Sequence, residues 1–123
     1  MNPKLTMVLR LLLGLILLVF GANKFLQFIP SPPMEGPSAD FFSALFATGY
    51  MIPLIATTEI VAGVLLIINK WSGLALVLSA IISVNIVLFH LALAPAGIAA
   101  AAVVAVLNAV LIYANWKKFK TLF

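Results

Sequence analysis

The chain contains no cysteine, which removes disulfides, thiol catalysis, thiolate metal sites and iron–sulfur clusters. It has a single histidine, so one chain cannot form a bis-histidine haem site, and no metal site is expected. Charge is also scarce. Only 8% of the 123 residues are charged, against about 25% in a soluble domain. The net charge of +4 does not point to nucleic acid, because the cations sort by membrane side instead.

What the chain has in excess is apolar surface, with 65% of its residues hydrophobic. Runs of about 20 apolar residues are the signature of transmembrane helices, since each must cross about 30 Å of hydrocarbon at 1.5 Å per residue. Four such runs occur, at about 5–23, 52–69, 72–93 and 96–116. The first is longer than the apolar core of a signal peptide and is interrupted by Arg10, so it reads as a retained helix. Short connections between the runs imply an all-α, integral membrane four-helix bundle of up-down-up-down topology, a single domain over 1–123. The bilayer is therefore the first partner, and nucleic acid is not one.

Orientation follows from the cations. With the N-terminus in the cytoplasm, Lys4, Arg10, Lys70, Lys117, Lys118 and Lys120 fall on or toward the inner side and only Lys24 outside. This is a strong positive-inside bias, and it predicts cytoplasmic termini in a bacterial inner membrane. Trp71 and Trp116 near the inner boundary and Tyr50 near the outer one fit interfacial belts.

The first outer loop has order of its own. Prolines keep residues 29–37 out of a helix. Ser38 then offers an N-cap, Asp40 falls in the first turn and Gly49 supplies a stop. A short interfacial helix is predicted over about 38–48, with Phe41, Phe42 and Phe46 forming a lid over the bundle mouth.

Polar residues make narrow stripes at 100° per residue. Arg10, Gly14, Leu17, Gly21 and Lys24 share one stripe of the first span. Glu59, Gly63, Leu66 and Lys70 share one on the second, and Ser72, Ser79, Ser83, Ile86 and His90 one on the third. Asn108 and Asn115 share a face of the fourth. Polar atoms at lipid depth must be satisfied internally, so the stripes are expected to converge on the bundle axis. Gly14, Gly21, Gly63 and Gly73 read as close-packing positions and Asn108 as interhelical glue.

Glu59 stands out. A charge at that depth costs about 2.5–3.5 kcal/mol on insertion scales and turns inward to a partner. From the outer helix ends Glu59 lies roughly 10 Å deep, Asn85 roughly 12 Å and His90 roughly 5 Å, with Lys24 at the surface and Arg10 roughly 20 Å down. Glu59, His90 and Lys24 thus form a candidate ligand-binding group in the outer half. Arg10 is a fourth candidate, reaching either the cytoplasmic interface or upward toward Glu59. Asn85 points about 140° away from His90 and does not belong to the same pocket. No catalytic residue can be named.

The ordered set Arg10-xxx-Gly14-xxxxxx-Gly21-xx-Lys24, Thr48-Gly49-Tyr50 with Pro53, Glu59-xxx-Gly63, Ser83-Val-Asn85 and Phe89-His90 resembles the DoxX family over nearly the whole chain. The resemblance implies a four-helix protein of the bacterial cytoplasmic membrane with an association to redox work. Relatives are named as membrane subunits of quinone-linked sulfur oxidation or as partners in thiol and superoxide defence. More distant ones include a eukaryotic receptor-assembly chaperone. The family has no established catalytic residue to carry over.

Three functions compete. The first is a non-catalytic membrane subunit or chaperone-like partner that holds a lipid-like molecule or another protein, in a membrane or redox assembly or a homo-oligomer. The second is a quinone-binding redox subunit in which His90 and Glu59 exchange protons with quinone oxygens, electrons coming from a partner because the chain has no intrinsic cofactor site. The third is a proton-coupled small transporter. Small multidrug transporters carry their glutamate in the first helix, however, whereas here it lies in the second span. The balance favours the first reading and is against an enzyme in its own right.

Overall fold

The computed structural model describes residues 2–29 and 34–120. Among these residues six α-helices follow in order: α1 Pro3–Leu26, α2 Pro37–Ala47, α3 Met51–Ile68, α4 Ser72–Leu93, α5 Ile98–Ala114 and the single turn α6 Trp116–Phe119. A 3₁₀ turn, Pro95–Gly97, leads into α5. The spans α1, α3 and α4, together with α5 and its leading turn, are each long and apolar enough to cross a membrane.

The spans form a closed ring in which α1 packs on α3, α3 on α4, α4 on α5 and α5 back on α1. This is the four-helix bundle expected of four apolar runs with short connections. Its core is built from Leu13 and Leu17 of α1, Leu66 of α3, Leu76 of α4, Leu107 and Leu111 of α5, and Phe119 of α6. Residues such as Leu15, Val61, Ile81 and Val103 stay exposed on the outside. In a membrane that is the lipid face, and the pattern needs no hydrophobic core richer than its surface.

Helix ends follow their capping chemistry. The Asn2 side chain accepts from the amides of Lys4 and Leu5, with Pro3 in the first turn of α1, where its missing donor is harmless. Asn69 adopts the left-handed conformation at the end of α3 and so turns the chain into α4 within a few residues. α1 runs longer than the apolar core alone predicts, because Asn23 and Lys24 remain helical up to a left-handed Gln27.

The interfacial segment differs from expectation in its cap. Gly36, at φ +65, is the N-cap, and Pro37 takes the first helical position. Proline's fixed φ suits that position, so Ser38 moves inside the first turn, where its hydroxyl donates to Glu35 O at 3.2 Å. Residues 30–33 of the proline-rich stretch lie outside the described residues. α2 packs on α3 and α4. Phe41 packs tilted, and Phe42 edge-on, against Phe89 of α4 at centroid separations of 5.4 and 5.1 Å. Phe46 stays on the exposed side of α2.

The helix 4–5 seam is polar inside. Asn108 is buried on α5; its Oδ1 accepts from Ser83 Oγ and its Nδ2 donates to Leu76 O, both at 3.3 Å. At the end of the bundle where the chain termini lie, Lys118 Nζ donates to Ser72 Oγ at 2.7 Å. Gly73 is not a close-packing position, since a Cβ there would meet nothing nearer than Lys118 Cβ at 4.0 Å.

Candidate functional site: the α1–α3 seam

The tightest seam in the bundle is α1 against α3, and glycine makes it so. A Cβ on Gly14 would stand 2.9 Å from Gly63 O, and one on Gly63 would stand 2.7 Å from Gly14 O and 2.8 Å from Leu18 N. One on Gly21 would stand 2.8 Å from Ala56 O. Gly14 opposite Gly63 and Gly21 opposite Ala56 is the pairing of two antiparallel helices. Only residues without a Cβ let backbones approach this closely, which is how membrane helices associate where apolar burial supplies no net drive.

The same stripe of α1 carries a cation at each end. Near the loop end, Lys24 Nζ lies 2.5 Å from Glu59 Oε1. Side chains lean toward their own helix N-terminus, so in this antiparallel pair Lys24 leans down α1 while Glu59 leans up α3, and the two heads meet. Gly21 is what allows the meeting, because its missing Cβ leaves room for Glu59 Cβ, 3.1 Å from where that atom would be. Near the other end, Arg10 Nη1 donates to Leu66 O and, at 3.2 Å, to Ile67 O. These carbonyls belong to the last turn of α3, where a cation meets acceptors with capacity to spare and the negative end of the helix dipole.

Burial is unequal across the ion pair. The Glu59 side chain is 1% exposed and the Lys24 side chain 27%. The carboxylate is thus sealed within the seam, and the ammonium forms its opening toward the end of the bundle that carries α2. No hydrogen-bond donor among the described residues reaches Glu59 Oε2. Oε1 has only the Lys24 ammonium.

The structure therefore brings Lys24 and Glu59 together, and it leaves the other two candidates elsewhere. His90 Nδ1 lies 3.0 Å from Ala94 O, and its ring packs where a Cβ of Gly97 would be, 2.6 Å from Cε1. His90 secures the α4–α5 turn and sits edge-on to Phe89 at 5.1 Å. Arg10 serves the α3 C-terminus. Two open grooves lie away from the ion pair, one of about 310 Å³ between α4 and α5 and one of about 220 Å³ between α2 and α4. In the sequence Phe89 stands out only beside His90 in the set that carries the resemblance; its place as the partner of Phe41 and Phe42 comes from the structure.

The residues of the seam lie within a stretch, 5–92, that matches the family model described as DoxX. The chain belongs to the DoxX family. The match takes in α1 to α4 almost whole, and with them Arg10, Gly14, Gly21, Lys24, Glu59, Gly63 and His90 of this DoxX protein; α5, with Asn108, lies beyond it. No curated protein and no solved structure was found to match the chain.

Proposed function

We propose that this DoxX protein is a multi-pass subunit of the bacterial cytoplasmic membrane, without catalysis of its own, that holds a lipid-like molecule at the Lys24–Glu59 pair and works beside a membrane partner. The observation that carries the reading is the uneven pair itself, a sealed carboxylate behind a partly exposed ammonium. An amphiphile with a hydroxyl or anionic head has two handles there. When Lys24 swings aside to pair with an anionic oxygen of the head, the carboxylate is uncovered and a head-group hydroxyl donates to Glu59 Oε2. The apolar tail then lies along the exposed faces of α1 and α3. Oε2, with no donor among the described residues, has acceptor capacity to offer such a head group.

Quinone protonation at Glu59 is the weaker alternative. It would pair Glu59 with His90, and His90 is instead held by Ala94 O and Gly97.

Native mass spectrometry on protein extracted in mild detergent tests the ligand. The wild type should retain an amphiphile through gentle activation, and Glu59→Gln, which keeps volume and hydrogen bonding, should lose most of it. Equal retention by both would refute the site.

The proposed orientation places both termini in the cytoplasm and α2 at the outer surface. It rests on Lys4, Lys70, Lys117 and Lys120 at one end of the bundle and on exposed Trp71 and Trp116 at that end with Tyr50 at the other, in keeping with the positive-inside rule and aromatic belts. Phosphatase fusions should be inactive after Lys70 and at the C-terminus, and active after Gly49. The reverse pattern would invert the topology.

A further inference from the structure

Asn85 sits in α4 about 12 Å below the helix end at Leu93, and its side chain is exposed on the outside of the bundle. It is the only carboxamide, among the described residues, on the lipid-facing side of a span. One N–H of Nδ2 donates to Ile81 O at 2.9 Å within its own helix. The second N–H and Oδ1 have no partner among the described residues, and the residue lines the open groove beneath Phe41. Polar groups in that position are costly and find partners on other helices.

From this geometry we infer that the outward face of α4 is the interface between two copies of the chain, with Asn85 at its centre. Three observations select a second copy. A carboxamide complements itself, since the free N–H of one Asn85 can donate to Oδ1 of the other and the reverse. The face is also a ridge between two grooves. Leu88 lines both the α4–α5 groove, floored by Ala105 and Ala109, and the groove beneath Phe41, so the ridge of each copy has a groove to enter. Finally, the cations lie so unequally between the two ends that both copies insert the same way round. A two-fold axis along the membrane normal then sets identical residues opposite each other at equal depth, and Asn85 meets Asn85. This last step rests on the orientation proposed above, which the phosphatase fusions read separately.

The absence of cysteine makes the test clean. Single cysteines are introduced on the α4 face (Ile81→Cys, Leu88→Cys, Ala92→Cys) and on exposed faces of the other spans (Leu15→Cys, Val61→Cys, Val103→Cys). Native membranes are then oxidised with copper–phenanthroline. Disulfide-linked dimers should form at all three α4 positions and stay at background at the other three. Adding Asn85→Leu, which is apolar and exposed and leaves the bundle core untouched, should lower the Ile81→Cys dimer about tenfold, and Asn85→Gln should restore part of it. Monomer yield in detergent confirms folding of each variant. Equal crosslinking on every face, a maximum on another helix, or a dimer indifferent to Asn85→Leu would overturn the inference. So would a crosslinked product of a different mass. Crosslinking at a single α4 position only, with the fusions upholding the shared topology, would mean that the helices touch at one crossing point and not along this face, which also overturns it.

Discussion

Gly63→Ala should destabilise the protein by about 2–3 kcal/mol, the cost of overpacking a well-packed site. The added methyl group would stand 2.7 Å from Gly14 O and 2.8 Å from Leu18 N. Both atoms are backbone, so no side-chain rotation relieves the contact, and α1 and α3 must separate. Helix propensity works in the opposite direction, since alanine is better than glycine in a helix interior by about 1 kcal/mol. A net loss would therefore isolate the packing effect. Gly73→Ala is the internal control, because its new methyl group meets nothing closer than 4.0 Å and should be neutral or slightly stabilising. Thermal unfolding of the two variants in one detergent gives the comparison. If Gly63→Ala melts with Gly73→Ala, the glycine seam is not what holds α1 to α3.

Lys24→Met should cost more, about 3 kcal/mol or above. Methionine keeps the length and apolar stem of lysine but removes the one cation beside a carboxylate that is 1% exposed. Removing one partner of a buried pair is far more harmful than the pair is helpful, because the remaining charge is left without compensation. Glu59→Gln should be milder, about 1–2 kcal/mol. It leaves an unpaired ammonium, but Lys24 is partly exposed at the end of the bundle and can turn to water or headgroups. The order of the two effects matters as much as their size. A larger loss from Glu59→Gln than from Lys24→Met would mean that the burden of burial falls on Lys24, opposite to the geometry.

Much of this architecture is legible in the sequence. The four spans follow from length and hydropathy, and the stripe Arg10, Gly14, Leu17, Gly21, Lys24 follows from helical period alone. What the stripe faces does not. Periodicity fixes which residues share a face, whereas the neighbour they meet depends on the order of helices around the ring. Residues of all four stripes are buried, but within the bundle the α1 stripe pairs with that of α3 and Ser83 of α4 with Asn108 of α5. Depth arithmetic placed Lys24 and His90 in the same layer as Glu59, but depth carries no azimuth. His90 lies on α4, and a carbonyl four residues away, Ala94 O, takes its Nδ1. Arg10 was readable as a cation between two destinations; close approach of α1 to α3 brings the last-turn carbonyls Leu66 O and Ile67 O within its reach. The cap of α2 escaped for a local reason. Ser38 is a good N-cap by type, yet Pro37 before it is better suited to the first helical position, and that shifts the cap to Gly36.

The claim at the centre of the account is that Lys24 and Glu59 act on each other inside the membrane, and a double-mutant cycle tests it most directly. Stability of the wild type, Lys24→Met, Glu59→Gln and the double variant is measured by unfolding in the same micelles. The account predicts strong coupling, about 2 kcal/mol, with the double variant markedly more stable than Lys24→Met alone because the stranded carboxylate is gone. Losses that simply add, to within about 0.5 kcal/mol, would show that the two residues are independent and would contradict it.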